Sequence, residues 1–429
     1  MRYSLATGLA ALVATTAAAS CSSTNSTNGV PAPPKNTTRK IKRVDLGPRP
    51  GYLVDDMEES ALKMELQQCL DTSTKPWKAS TWSIGHRGGG TLNIPEHSVQ
   101  SNMAGARMGA GILECDTAFT SDLELVCRHS QCDLHYTTNI VAIPELNAKC
   151  STPFTAAADG KPATAKCCTA DITLAEFKTL CATMEGYNAS AVTPEDFINN
   201  PPSWRTDLYS HCGEVLSVQD HIKLTKELGL LHTAELKTPE VPMPFNGNYT
   251  QEIYAQQLID EYRKGGVPPE DLYLQSFLYD DMLFWLKNEP EYAAQAVFLD
   301  SYGETEEDLP NAVANLTNYK ADGVNYLAPP LPYLISAENG KMVMSEYAIK
   351  AKELGFKIIP WTVDRSGSLY DVKENNNYYF MYFKDAVNRD GDVFTMLDLM
   401  WKEIGIVAIF SDWSATLTFY ANCFKIGLF

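Results

Sequence analysis

Trp82-Ser-Ile-Gly-His-Arg-Gly88 is a short apolar run that stops on ionisable and flexible residues. The design recurs. Gly109-Ala-Gly-Ile-Leu-Glu-Cys-Asp116 ends on two acids, Val126 leads to His129, and the run 230–236 carries Glu235 and stops at Lys237. Barrel enzymes expose their reactive side chains at the C-terminal ends of parallel strands. The pattern therefore predicts a TIM-type (β/α)8 barrel with these clusters gathered at one mouth.

Nine segments read as strands: 82–86, 111–116, 124–127, 230–236, 272–277, 296–300, 323–327, 356–363 and 406–411. From Gln219 onward they alternate with helical patterns over 218–228, 251–264, 309–320 and 345–354, the mark of a parallel sheet with crossover helices. One strand is surplus to eight staves. The segment 124–127, close behind Ser121-Asp122, is expected as a hairpin arm at the mouth.

The barrel is expected over 81–423, interrupted by a Cys-rich insertion at about 130–217 that lies over the mouth, where functional loops concentrate. A surface excursion without catalytic meaning is the alternative. Within it, 151–166 reads as loop and 173–184 as helix. The tract from 375 to Trp401 is a second, smaller insertion.

Residues 1–20 read as a secretory signal peptide: Arg2, an apolar stretch from Leu5 and an Ala-rich exit. A membrane anchor is the alternative, weakened by the shortness of the stretch. Residues 21–54 read as a disordered linker or prosegment, rich in Ser, Thr, Asn and Pro, with Lys42-Arg43 either a dibasic cleavage point or solvated charge. Region 55–80 carries Met57, Leu62, Met64, Leu66 and Leu70 at helical spacing, predicting a helix ahead of the barrel. Sequons at Asn25, Asn36, Asn188, Asn248 and Asn315, with 11 cysteines, fit export and disulfides. Ten cysteines remain beyond Cys21; their connectivity is not readable, and no CxxC pair has zinc-finger spacing.

With 45% hydrophobic and 21% charged residues, the chain can form a large core. Its formal net charge of -18 argues against nucleic-acid binding, since a phosphate backbone would be repelled. An anionic small substrate needs a locally positive site instead.

Glu114 and Asp116 sit two apart on a strand and so face the same side. Neighbouring carboxylates repel unless a cation neutralises them, and Glu235 supplies a third ligand from across the mouth. All-oxygen donors suit Ca2+ or Mg2+ rather than zinc. Ordinary strand-end salt bridges are the competing explanation. His86 and His129 have the chemistry to move protons, while Arg87 is suited to bidentate phosphate contact and Lys237 to a point charge.

The ordered set resembles the glycerophosphodiester phosphodiesterases, in the manner of a secreted, fungal-like member. The resemblance rests on Ile84-Gly-His-Arg-Gly88, Pro95-Glu-His-Ser98, 109–116, Thr120-Ser-Asp122, Val126 to His129, Glu235-Leu-Lys237, Gln275-Ser-Phe277, Trp361-Thr-Val-Asp364 and Ser411-Asp412. It implies a barrel of the phospholipase-C-like phosphodiesterase kind, with His86 and His129 catalytic and Glu114, Asp116 and Glu235 holding one divalent cation. Arg87, Lys237 and Trp361 would then bind substrate. It further implies hydrolysis of a glycerophosphodiester to glycerol 3-phosphate and an alcohol. Attack by the neighbouring glycerol hydroxyl and attack by water both remain open, as does which histidine is acid and which base.

Two departures stand out. Ser130 follows His129 where the family has aspartate, so an orienting carboxylate must come from elsewhere, and His97 replaces the usual Asn after Pro-Glu. Glu96 reads either as a metal or hydroxyl contact or as a turn stabiliser. A phospholipase D-like lyase on sphingolipid or lysophospholipid, and a catalytically silent surface barrel, are the competing functions. The expected partner is a small phosphodiester, with no nucleic acid, no stable membrane anchor and a monomeric state.

Overall fold

A computed structural model describes residues 29–35, 39–73, 76–305, 307–375 and 377–429. The signal peptide, Cys21 and the sequons at Asn25 and Asn36 lie outside the described residues. Eight parallel strands run in chain order: β1 (Ser80–Gly85), β2 (Ala110–Phe119), β3 (Leu231–Leu236), β4 (Leu272–Ser276), β5 (Val297–Phe298), β6 (Tyr326–Leu327), β7 (Lys357–Ile358) and β8 (Ile409–Ser411). Each pairs with the next from β1 to β7, and β8 returns to β1. Past the end of β7 the backbone meets β8: Phe410 N donates to Pro360 O at 3.1 Å and Val363 N to Phe410 O at 2.9 Å. The cylinder closes. Leu125–Cys127 pairs antiparallel with β2 and is the surplus arm anticipated from sequence.

Inward-facing residues from successive strands, among them Ile84, Ile112, Leu231, Tyr273, Tyr326, Ile359 and Phe410, fill the interior. Truncating one such residue to alanine costs roughly 2–5 kcal/mol. The strands are buried on both faces because helices cover the outside, which is why they read as continuous apolar runs. Between β1 and β2 the backbones approach closely at Gly111, where a Cβ would lie 2.3 Å from Ser80 O.

The crossover helices follow their sequence signals. In α4 (Val218–Leu228), Ser217 and Asp220 form a capping box and Gly229 ends the helix in the left-handed conformation at φ 66°. The chain enters α3 (Val99–Arg107) through Ser98, whose side chain caps Ser101 N.

The amino-terminal expectation is corrected. Instead of one helix after a disordered linker there are two, α1 (Arg49–Asp55) and α2 (Ala61–Thr72), and Ser60 caps the second. Ile41, Val44 and Leu46 are buried, Asp45 N donates to Arg107 O, and Thr81 Oγ1 donates to Pro31 O. These few apolar side chains dock on the barrel wall, a tertiary effect that local composition does not register.

The insertion has its own small core, built on Val126, Leu134, Ile140, Ile172, Phe177 and Phe197. Only Leu174–Phe177 of the expected helix is helical, and the expected loop contains a hairpin, Thr152–Thr155 with Thr164–Lys166. Disulfides join Cys132–Cys168, Cys150–Cys167 and Cys181–Cys212 inside it, Cys115–Cys127 across β2 and the arm, and Cys69–Cys423 across the barrel's two ends of chain. Staples, rather than a metal cluster, absorb all ten cysteines of the described residues. Among those residues no helix is long and apolar enough to cross a membrane.

Candidate active site

Register sets the site. Across β2, β3 and β4, Asp116 pairs with Glu235 and Glu235 with Gln275, while Glu114 lies two residues back on the same face. Ligand oxygens of Glu114, Asp116 and Glu235 all fall within 4.8 Å of one another, and the three residues are buried. Gly85 pairs with Leu113, so the next residue, His86, comes level with Glu114.

The turn after β1 is tight. Arg87 takes φ 49°, and a Cβ at Gly88 (φ 110°) would sit 2.5 Å from Ser101 Oγ, so this position needs glycine. Arg87 N thereby donates to Glu114 Oε2 at 2.8 Å, and His86 Nε2 lies 4.0 Å from the same oxygen. A cavity of about 230 Å³ opens here, walled by His86, Glu114, His129, Glu235, Phe277 and Trp361, with Tyr379 from the second insertion. All eight residues expected from sequence are brought to this mouth, and Gln275, Leu299 and Phe410 complete the cavity lining with Arg87.

The orienting carboxylate missing after His129 is found at the end of β8, on the other histidine. Asp412 Oδ1 meets His86 Nδ1 at 2.5 Å. Its Oδ2 accepts from Arg205 Nη2 at 2.6 Å and Arg365 Nη1 at 2.9 Å. Burial would raise the Asp412 carboxyl, but Arg365, His86 and Arg205 overcome it and hold the group well below the usual carboxylate range. Burial lowers His86 to about 4 in spite of Asp412. His129 is also pushed well down, by burial and then by Arg87 and Lys237. Burial thus favours the neutral form of both imidazoles.

Two expectations change. Arg87 is not a free fork: its Nη1 donates to Glu96 Oε2 at 2.7 Å and its Nε lies 3.7 Å from Asp116 Oδ2. Glu96 is the partner of Arg87 through Oε2, while its Oε1 is buried without a hydrogen-bond partner, and that guanidinium with Arg365 outweighs burial to lower its carboxyl to about 2. Lys237 Nζ pairs with Glu235 Oε1 at 2.6 Å while lying 5.6 Å from the centre of the Phe277 ring.

The trio fits a hard cation. His97 Nε2 holds Asp116 Oδ2 at 2.9 Å, which leaves Asp116 Oδ1 buried with no hydrogen-bond partner. Such an oxygen is costly unless something cationic meets it. Burial and the Asp116 charge push Glu235 up to about 8 and Glu114 well above the ordinary range. Against burial, His97 and then Lys237 keep Asp116 well below its own. Cys115, Cys127 and His221 also lie together, but the two cysteines are joined in a disulfide.

Sequence reasoning missed the roles of Asp412, Arg205, Arg365, Glu185 and His97. Asp412 ends a strand run and carried that signal; Arg205 and Glu185 lie in the irregular insertion and carried none. His221 and His232 are buried and His135 is half-buried, and none of the three lines the cavity.

Comparison with known proteins bears on the fold and the family. A solved structure from Silicibacter pomeroyi, assigned as a glycerophosphoryl diester phosphodiesterase, superposes with a TM-score of 0.50 at 17% identity, covering 82% of this chain and 96% of its own, and so shares the fold. A protein of Arthroderma benhamiae named "Extracellular protein" is 42% identical over 245 residues, which are 57% of this chain and all of that one. Residues 86–412 match the model of the Glycerophosphoryl diester phosphodiesterase family, a span that opens on the histidine beside Glu114 and closes on the aspartate that orients it, and the chain belongs to that family.

Proposed function

We propose that the chain is a secreted, divalent-cation-dependent enzyme that hydrolyses glycerophosphodiesters to glycerol 3-phosphate and an alcohol such as choline, ethanolamine or inositol. The observation that carries the reading is the convergence of two imidazoles and three buried carboxylates on one cavity at the C-terminal mouth of the barrel. The cavity volume, about 230 Å³, falls below the ~300 Å³ at which drug-sized sites begin. It suits a compact polar diester.

Glu114, Asp116 and Glu235 would hold the ion, Ca2+ or Mg2+. When bound, it supplies Lewis-acid polarisation of a phosphoryl oxygen and neutralises charge. Asp412 accepts the Nδ1 proton of His86 and so turns a basic Nε2 toward the cavity. One imidazole removes the proton of the attacking hydroxyl or water, the bond from phosphorus to the headgroup oxygen breaks, and the second imidazole returns a proton to that oxygen. Arg87 and Lys237 hold the phosphate anion, with Lys237 shared from Glu235. Trp361, whose Nε1 is fixed on Ala328 O at 2.8 Å, forms a rigid wall against the organic part of the substrate. Export is supported by the amino-terminal pattern, the disulfides and the name of the fungal relative, and the exposed sequon at Asn248 is a proposed glycan site.

Glycerophosphocholine turnover with and without chelator, beside the His86→Ala and Glu114→Ala variants, tests the proposal. Rapid release of choline by the wild type alone is expected. Undiminished release in chelator, or in both variants, rejects it. A second reading has one observation in its favour: Trp204, Leu208 and Tyr209 of the insertion are 48%, 73% and 61% exposed, as a lipid-facing rim would be. Higher kcat/KM on lysophosphatidylcholine than on glycerophosphocholine, with a cyclic phosphate product, would select that lyase.

A further inference from the structure

The Cys181–Cys212 disulfide closes a loop of the insertion that carries both Glu185 and Arg205. Arg205 is 7% exposed and reaches from this loop to the last strand of the barrel. Its Nη2 donates to Asp412 Oδ2 at 2.6 Å and its Nη1 to Glu185 Oε2 at 2.9 Å. Arg365, just past β7, spans the same two carboxylates, at 2.9 Å to Asp412 and 2.5 Å to Glu185. Two guanidiniums and two carboxylates thus form a closed ring, and His86 hangs from the one free oxygen of Asp412.

We propose that the loop 181–212 is a positioning element of the active site, in which Arg205, braced by Glu185, fixes the Asp412 carboxylate that orients His86. The inference rests on the reading of His86 as a proton-transfer group. A carboxylate hydrogen-bonded through one oxygen can rotate about its Cβ–Cγ bond and take the imidazole with it. Asp412 cannot, because both guanidiniums grip Oδ2 and point Oδ1 at Nδ1. The barrel supplies one of the two guanidiniums. The other comes from a segment that would otherwise be a surface excursion, and burying a guanidinium there is expensive unless its pairing is used. The plain alternative is a clip: Arg205 merely pins the insertion to the barrel.

Full-length protein carrying Arg205→Met, Arg205→Lys, Glu185→Gln, Asp412→Asn and the Arg205→Met/Asp412→Asn pair separates these. For R205M, kcat should fall about 10- to 100-fold, part of the ~10²–10⁴ that a positioned proton transfer supplies. KM and the calorimetric affinity for Ca2+ or Mg2+ should stay within about twofold, since only the reactive geometry is disturbed. R205K should recover part of the loss. In the D412N background R205M should cost little more, because both act through one contact. Full kcat in R205M, or losses from R205M and D412N that multiply independently, would leave only the clip. If R205M does not fold, R205K and E185Q carry the same test, with an expected kcat loss between wild type and D412N; wild-type kcat in both overturns the proposal. The His86→Ala variant tells the two readings apart: inactive H86A beside normal R205M sinks this inference alone, whereas active H86A sinks the parent reading and this one with it.

Discussion

Removing the proposed cation at two pH values gives an outcome whose size follows from the carboxylate trio. Glu114, Asp116 and Glu235 crowd within 4.8 Å, and burial with the Asp116 charge holds Glu235 up to about 8 and Glu114 well above its ordinary value. A cation must displace those protons. From Glu235 alone, a group half-protonated at pH 8 and almost fully protonated at pH 6, apparent affinity drops roughly 50-fold between the two. At a cation concentration 100 times the pH 8 Kd, stabilisation is ~2.7 kcal/mol at pH 8 and ~0.6 kcal/mol at pH 6. Unfolding entropy near ~2.1 cal/mol/K per residue gives ~0.9 kcal/mol/K for 429 residues. The Tm should therefore rise by about 3 °C at pH 8 and less than about 1 °C at pH 6. The sign follows from the raised pKa: the cation-free fold keeps a proton that the unfolded chain loses, so its stability falls as pH climbs from about 4.5 to about 8, where the cation offsets the loss. Thermal unfolding with chelator against added Ca2+ or Mg2+ reads the shift, and calorimetry in buffers of different ionisation enthalpy counts released protons. Equal Tm shifts at both pH values with no proton release would refute the reasoning.

His86→Ala and His129→Ala should each lower kcat by about 10²–10⁴-fold while leaving cation affinity intact; steady-state rates at saturating glycerophosphocholine within tenfold of wild type would exclude either residue from proton transfer. Glu96→Ala strips Arg87 of its 2.7 Å partner at a buried site, so about 3 kcal/mol of stability should be lost, the low end for a broken buried pair because Glu185 and Asp116 remain within 4 Å. Denaturant unfolding measures it, and an unchanged midpoint would mean Arg87 is satisfied without Glu96.

How much of this was legible in the sequence depends on range. Parallel staves buried on both faces announce themselves as apolar runs, and because each ends at the mouth, the residue that stops the run is a candidate site residue. Glu114, Asp116, His86 and Glu235 were found in that way. Helix ends such as Ser217 and Gly229 carry local capping signals, and α4 matches its predicted bounds. Arg205 has no such marker. Its partner Asp412 is 207 residues away, the loop that holds it has neither period 2 nor period 3.6, and the disulfide that closes the loop cannot be chosen from the cysteine spacing. The same holds for Ile41, Val44 and Leu46, isolated apolar residues in a polar tract that gain burial only once the barrel wall exists.

The charge of the site then links its two expected ligands. Around the mouth stand the carboxylates of Glu96, Glu114, Asp116, Glu185, Glu235 and Asp412, against the cations of Arg87, Arg205, Lys237 and Arg365. Fully ionised, that balance is two negative charges in excess, in a chain already at -18. Without the ion, the protons that Glu114 and Glu235 keep through their raised pKa values offset that excess. One divalent cation takes the place of those protons, and by meeting Glu235 it frees Lys237 from the 2.6 Å pair that occupies it. Cation and substrate should therefore bind with positive coupling, and linkage makes the coupling reciprocal: substrate must tighten the cation by the same factor that the cation tightens substrate. The acidity that argues against nucleic acid as a partner is, at this mouth, the reason the metal and the diester depend on each other.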